Sequence, residues 1–148
     1  MSGPPVTVEV IVLRVTEDGW AYRPESKLLK DGDSPCDVAR EVAEGPAILH
    51  STSWRHELGR GVILTYAAYP DRRPGAGARG LDEAAVAFGE SADTPRPAVL
   101  ALGNVTAHAI RHLAFLARTD PAVSAAVAAD PPLAARLAGA PAEPAAQF

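Results

Sequence analysis

The feature that most constrains the fold is a change in composition along the chain. Residues 1–70 are rich in Val, Ile, Leu, Thr, Trp and Tyr, whereas residues 99–148 are dominated by alanine with interspersed Asp-Pro pairs. β-branched and aromatic residues favour strands, and alanine favours helices. We therefore predict an α+β domain in which a mixed sheet is flanked by helices, with alanine-rich helices at the C-terminal end.

Alternating or continuous apolar residues predict the main strands. Val6–Val15 and Ala47–His56 alternate between two faces, and Trp20–Tyr22 is expected to be a short returning strand. Val62–Tyr69 is apolar on both faces, so we predict a central strand in which Leu64→Asp is strongly destabilising. In the second segment, strict alternation places four side chains on one face: His50, Thr52, Trp54 and His56.

Helix ends are marked by cap residues followed by proline. Ser34-Pro35 is predicted to begin a helix that ends at Gly45, and Asp120-Pro121 and Asp130-Pro131 are predicted to begin two more. Asn104–Arg118 carries an apolar stripe at helical spacing. We expect one domain over residues 1–139 and a flexible tail over residues 140–148, with loops or linkers at 70–80 and 89–97 and no firm assignment for 81–88.

Size and charge exclude several classes of protein. The chain has 148 residues, a formal net charge of −4 and one cysteine, Cys36. This charge disfavours a nucleic-acid partner, and a single cysteine excludes an internal disulfide. No apolar run is long enough to span a bilayer and no secretory signal begins the chain, so we expect a cytoplasmic protein without a membrane partner.

One segment, Gly32–Gly45, has the order Arg40, Glu41, Val42 and Glu44. This order resembles the Nudix hydrolase family, whose box contains Arg-Glu-aliphatic-x-Glu-Glu. The resemblance implies a Nudix-like outline, with glutamates on one helix face that hold magnesium against a diphosphate; magnesium prefers such oxygen ligands. The strand after the box and the run Leu64–Tyr66 also look like the family.

Two departures from the family pattern affect the site. Asp33, the nearest stand-in for the first glutamate of the box, lies one residue too close to Arg40. Gly45 stands where the last glutamate of the box belongs, so a principal metal ligand is missing by analogy. The resemblance therefore implies a catalytically degenerate, ligand-binding protein rather than a diphosphate hydrolase.

The histidines indicate where a small-molecule ligand would bind. His108 and His112 are one helical turn apart, and a helix packed on the His50 face would bring them close to it. This packing predicts that His112 lies within one side-chain length of Trp54. The predicted pocket combines apolar walls with a few polar groups. Its residues are His50, Thr52, Trp54, His56, Asn104, His108, His112 and Phe115.

Two alternatives to a ligand-binding protein remain open. His108 and His112 have suitable spacing for a divalent metal, and a metal-dependent enzyme would use them together with His50 and His56. Their segment lacks the glutamate base of His-Glu-x-x-His enzymes, and a thiol nucleophile at Cys36 is disfavoured. The arginines of the 70–80 loop (Arg72, Arg73 and Arg79) are expected to be solvated. The second alternative is a protein-interaction module that assembles through its C-terminal helices. In it, the small side chains that pack between subunits of a homo-oligomer are those of Ala125, Ala126, Ala128 and Ala129.

Overall fold

A computed structural model describes residues 5–73, 78–82, 86 and 102–147. These residues form a mixed α+β domain, as the composition predicts. Its sheet has the strand order β5-β2-β1-β4-β3-β6. The strands are β1 (Val6–Thr16), β2 (Gly19–Leu28), β3 (Ile48–Glu57), β4 (Gly61–Tyr69), β5 (Arg79–Asp82) and β6 (Ala146–Gln147), and the helices are α1 (Pro35–Val42), α2 (Leu102–Thr119), α3 (Pro121–Ala128) and α4 (Pro131–Ala138).

The sheet is mixed because β1 pairs with β4 in parallel and β3 pairs with β6 in parallel, while the other neighbours are antiparallel. Alternation along β1 divides its side chains between two cores. Ile11 and Leu13 point to the face covered by α2, α3 and α4, which we call the α2 face. Val8, Val10 and Val12 point to the opposite face, the α1 face, against Val38 and Ala39 of α1.

The predicted helix starts are confirmed. The Ser34 side chain accepts a hydrogen bond from the amide of Asp37, and Pro35 occupies the first turn of α1. The carboxylates of Asp120 and Asp130 cap α3 and α4 in the same way. The apolar stripe of α2 is buried against the sheet; it includes Val105, Ala109, Ile110, Leu113 and Leu116.

The β4 strand is central, as predicted, because it lies between β1 and β3. Its two faces are nevertheless unequally covered at the end nearest the β3–β4 hairpin. Ile63 is fully buried on the α2 face, whereas Leu64 on the α1 face is only half-buried. We therefore expect the severe effect for aspartate at Ile63 rather than at Leu64.

The β2 strand is longer than the short strand predicted at Trp20–Tyr22. Its hydrogen bonding to β5 covers only Gly19–Tyr22, so from Arg23 onward one edge of β2 has no strand neighbour among the described residues. Pro24, which lacks an amide hydrogen, is tolerated on such an edge. Arg79 and Gly80, predicted to be loop, belong to β5; the predicted 89–97 linker and most of 81–88 lie outside the described residues.

The C-terminal segment is docked on the domain over its described residues, although the sequence predicts a flexible tail at 140–148. Ala140 is buried, the amide of Glu143 donates to the carbonyl of Arg111 at 3.1 Å, and β6 adds to the edge of β3. The part of the chain that the structure describes contains no helix of the length and apolarity that crossing a membrane requires.

Candidate functional site

A β-bulge at Thr52 decides which side chains meet. Ser51 pairs with Tyr66 of β4, but the next paired residue is Ser53, opposite Thr65, so Thr52 is an extra residue in β3. Its buried hydroxyl donates to the Thr65 carbonyl at 3.4 Å. An extra residue reverses the alternation that follows it, so the residues before and after the bulge no longer share a face.

The prediction of one shared strand face is therefore wrong. His50 pairs with Ala67 and lies on the α2 face, whereas Trp54 pairs with Leu64 and His56 with Val62, both on the α1 face. The expected proximity of His112 to Trp54 is also wrong, because α2 covers the face opposite to Trp54. Asn104 lies in the first turn of α2 and is exposed. The eight predicted residues therefore do not form one pocket: six of them belong to the two sites described below, and His56 and Asn104 are exposed and belong to neither.

The first site is a cluster of three imidazoles and one phenyl ring on the α2 face. The His50 and His112 rings meet edge to face with centroids 5.8 Å apart. The His108 ring lies nearly parallel to that of His112, with centroids 6.2 Å apart, and the Phe115 ring also stacks on His112, with centroids 5.7 Å apart. Five of the predicted site residues contribute here when the Thr52 carbonyl is included. The helical pair lies beside His50, the arrangement that the sequence allowed if α2 packed on the face that bears His50.

Hydrogen bonds occupy both ring nitrogens of His108. Nδ1 lies 2.9 Å from the Glu143 carboxylate, and Nε2 lies 3.1 Å from the Thr52 carbonyl oxygen. Both partners are acceptors, so each contact needs a proton on the ring nitrogen that faces it. A metal ion at His108 would displace one of these contacts, and no group of three or more potential ligands surrounds a common point among the described residues. The His108–His112 metal pair stays a prediction that this geometry does not favour.

The His112 ring is buried, and burial lowers its pKa below the usual value. The neighbouring His50 and His108 rings lower the pKa further, while the hydrogen bond from Nδ1 to the Glu143 carbonyl at 2.9 Å raises it. Since that carbonyl accepts, Nδ1 carries the proton and a neutral ring satisfies the contact. This cluster therefore holds histidines in different hydrogen-bonding environments one helical turn apart.

Glu143 and Arg111 complete the cluster, and sequence reasoning missed both. Arg111 Nε donates to the Glu143 carboxylate at 2.6 Å, and its Nη1 donates to the carbonyl of Val86 at 3.2 Å. Burial raises the pKa of Glu143, but hydrogen bonds and positive charge from Arg111 and His108 outweigh it and hold the pKa below its usual value. No local signal identified Glu143, because its partners are more than 30 residues away.

The second site is a cleft on the α1 face, which we call the Trp54 cleft. Trp54 is 42% exposed, and the cleft beside it has a volume of about 400 Å³. Ser51 stands opposite Tyr66 and Trp54 opposite Leu64, so these four side chains form one patch across β3 and β4. Among the residues that the structure describes, none of those that line the cleft is charged; they are Ser51, Thr52, Ser53, Trp54, Leu64, Tyr66 and Ala145.

Tyr66 connects this cleft to α1. Its ring packs against the apolar cluster that contains Val38 and Ala39 of α1. Burial raises the pKa of Tyr66, and the negative charge available to the nearby Cys36 raises it further. Cys36 itself is exposed in the first turn of α1. Tyr66 therefore lines the cleft and also contacts the apolar cluster that α1 covers.

The segment that resembles a Nudix box does not bring its glutamates together on one helix face. Glu44 lies beyond the end of α1, at φ +60°, and its carboxylate pairs with Arg73 at 2.7 Å. The Asp33 carboxylate instead accepts from the backbone amide of Lys30. Glu41 lies in α1, whereas Glu44 lies outside it. The resemblance implies that the two glutamates share one helix face, and in the structure they do not. Gly45 contributes its carbonyl to Arg72 rather than a side-chain ligand.

A buried ion pair on the α2 face was also missed by sequence reasoning. Arg55 Nη1 and Nη2 donate to the two carboxylate oxygens of Glu9 at 2.9 and 3.1 Å, and the Thr65 hydroxyl donates to the same carboxylate at 3.0 Å. Burial works against the charged form of Arg55, but Glu9 and Glu57 outweigh it and raise its pKa. This pair reaches the α2 face only because the bulge at Thr52 precedes Arg55.

Comparison with known proteins assigns no family: no family model, curated protein or solved structure matches the chain.

Proposed function

We propose that the protein is a small-molecule-binding protein whose ligand is an uncharged, planar aromatic group seated in the Trp54 cleft. The observation that carries the proposal is a 42% exposed Trp54 beside Leu64 and Tyr66 in a cleft of about 400 Å³. That volume lies in the range typical of small-ligand sites, which have apolar walls and a few polar groups. Large aromatic side chains left open to solvent provide stacking surfaces for rings.

The composition of the cleft argues for an uncharged ligand. All of the described residues that line it are uncharged, so a phosphate or carboxylate would lose hydration without meeting a counter-charge from them. The Ser51 hydroxyl offers a donor and an acceptor on the same face as Trp54. We therefore expect a nucleoside to bind better than its phosphorylated form.

Fluorescence of a single tryptophan tests this directly, because the chain has two tryptophans and Trp20 is buried on the other face. In a Trp20→Phe background, adenosine should change the Trp54 emission saturably, and adenosine monophosphate should bind more weakly. Trp54→Ala should weaken adenosine binding by about tenfold or more, as judged by calorimetry, since stacking of a base on an aromatic ring contributes about 1–3 kcal/mol.

The matched control is Leu58→Ala, because Leu58 is an exposed apolar residue that does not line the cleft. Its affinity for adenosine should equal that of the parent. Equal binding by the parent and Trp54→Ala, or no saturable binding of any planar probe to the parent, would overturn the proposal.

We further propose that the protein lacks Nudix-type hydrolysis. The placement of Glu44 outside α1 and its pairing with Arg73 support this, because the glutamates are not assembled to hold magnesium. The measurement is phosphate release from nucleoside diphosphate derivatives with magnesium. Robust turnover that disappears in Glu44→Gln would show that the segment is a competent site after all.

A further inference from the structure

The residues after α4 connect the histidine cluster to the Trp54 cleft. We call residues 141–147 the C-terminal strap. The strap lies along the edge of β3, where β6 pairs in parallel with Ser53 and Trp54. Glu143 of the strap contacts α2, and Ala145, two residues later, lines the Trp54 cleft. One short segment therefore touches both sites.

Glu143 anchors the strap to α2 through side-chain and backbone contacts. Its carboxylate meets Arg111 at 2.6 Å and His108 at 2.9 Å, and its carbonyl accepts from His112 at 2.9 Å. Charge-assisted hydrogen bonds of this kind are roughly twice as strong as neutral ones. By contrast, β6 has only two residues, and so short a strand contributes little pairing of its own.

We propose that the strap is the closing wall of the Trp54 cleft and that Glu143 is the residue that positions it. The inference rests on the proposed function, because it concerns the same cleft. When the strap is docked, Ala145 lines the cleft together with Trp54, and β6 pairs with the backbone of Ser53 and Trp54. When it is released, the cleft loses that wall and a bound ring is exposed to solvent on one side.

The coupling works in both directions. If docking of the strap strengthens ligand binding by some factor, ligand binding must favour docking by the same factor. Adenosine at saturation should therefore slow hydrogen exchange at the amides of residues 145–147. This reciprocity distinguishes a wall of the site from a segment that only stabilises the fold.

Two variants test the two parts of the proposal separately: that the strap closes one side of the cleft, and that Glu143 holds the strap in position. Glu143→Gln removes the negative charge that meets Arg111 and should speed strap exchange and weaken adenosine binding by about tenfold. Tenfold corresponds to about 1.4 kcal/mol, roughly what one charge-assisted hydrogen bond contributes. A chain that ends at Pro144 keeps Glu143 and its partners but lacks Ala145 and β6. It should keep the parent's thermal stability and bind adenosine as weakly as Glu143→Gln.

Glu57→Gln is the matched control. The side chains of Glu57 and Glu143 are 37% and 36% exposed, and each pairs with an arginine, but Glu57 lies at the far end of β3 and does not line the cleft. The control should leave strap exchange and adenosine affinity at parent values. If the chain ending at Pro144 binds adenosine as tightly as the parent does, the strap is not a wall of the cleft. If the strap amides of Glu143→Gln exchange at the parent's rate, Glu143 does not position the strap.

The two proposals fail in distinguishable ways. Strap exchange is measured without ligand, so it decides the role of Glu143 even if adenosine does not bind. If adenosine does not bind to the parent, the proposed function is refuted, and so is the claim that the strap closes a ligand-binding cleft. If the parent binds adenosine and both Glu143→Gln and the chain ending at Pro144 bind it with unchanged affinity, the strap is not a wall of the cleft, and the proposed function is still supported.

Discussion

The buried pair of Glu9 and Arg55 provides a sharp test of the structure. Both side chains are less than 10% exposed, and the two carboxylate oxygens meet two guanidinium nitrogens at 2.9 and 3.1 Å. Glu9→Leu would leave the Arg55 charge buried and deprive the Thr65 hydroxyl of its acceptor. Loss of one partner of a buried pair costs about 3–5 kcal/mol.

The local surroundings place the expected cost near the lower end of that range. Arg55 Nε also lies 3.6 Å from Glu57, which is partly exposed and offers partial compensation. We therefore expect Glu9→Leu to lower the free energy of unfolding by about 3 kcal/mol, a fall in Tm of about 6–12 °C for a chain of this length. The measurement is urea denaturation followed by circular dichroism.

The double variant Glu9→Leu/Arg55→Met distinguishes the cost of an unpaired buried charge from the cost of altered packing. Replacement of both charges by apolar groups of similar volume is often neutral, so the double variant should recover much of the stability lost in Glu9→Leu. Recovery gives a coupling energy of about 2 kcal/mol in the double-mutant cycle. A single-variant loss below about 0.5 kcal/mol, typical of surface sites, would refute burial of this pair.

Three further predictions test other parts of the structure by chemical denaturation. Burial lowers the pKa of His112 in the folded protein. As the pH falls below about 6.5, this histidine is therefore protonated in the unfolded chain before it is protonated in the folded one. The free energy of unfolding should therefore decrease from about pH 7.5 to 5.5, and a slope unchanged in His112→Asn would contradict this assignment. Ile63→Asp should cost about 3–5 kcal/mol and Leu64→Asp distinctly less, because only the former is fully buried; equal costs would contradict the unequal coverage of β4. Gly61→Ala should lower the free energy of unfolding more than Gly59→Ala. Both glycines have positive φ, but only at Gly61 does a backbone carbonyl oxygen lie where the Cβ would be placed; a larger loss for Gly59→Ala would contradict this close approach.

Features with local causes could be predicted from the sequence. Ser34-Pro35, Asp120-Pro121 and Asp130-Pro131 are helix starts because each cap side chain bonds an amide two or three residues away. The central position of β4 followed from its two apolar faces. The mixed α+β class followed from composition, while the Nudix-like outline and the assembly through C-terminal alanines stay predictions.

Features with distant causes could not be predicted. The bulge at Thr52 depends on how β3 aligns with β4, and nothing in the composition of β3 marks an extra residue. That one residue moved Trp54 away from the histidines and turned Arg55 toward Glu9. The strap has the composition of a tail, yet Glu143 is anchored by Arg111 and His108 of a helix that begins some 40 residues earlier in the chain.

The most direct test of the central claim is a nuclear magnetic resonance titration of the labelled protein with adenosine. The claim is that the ligand binds on the α1 face, away from the imidazole cluster. It predicts saturable shifts of the Trp54 indole and the Tyr66 ring that exceed those of the His50 imidazole and the Phe115 ring, which lie on the opposite face. Shifts centred on His50 and Phe115, with the Trp54 indole unmoved, would contradict it.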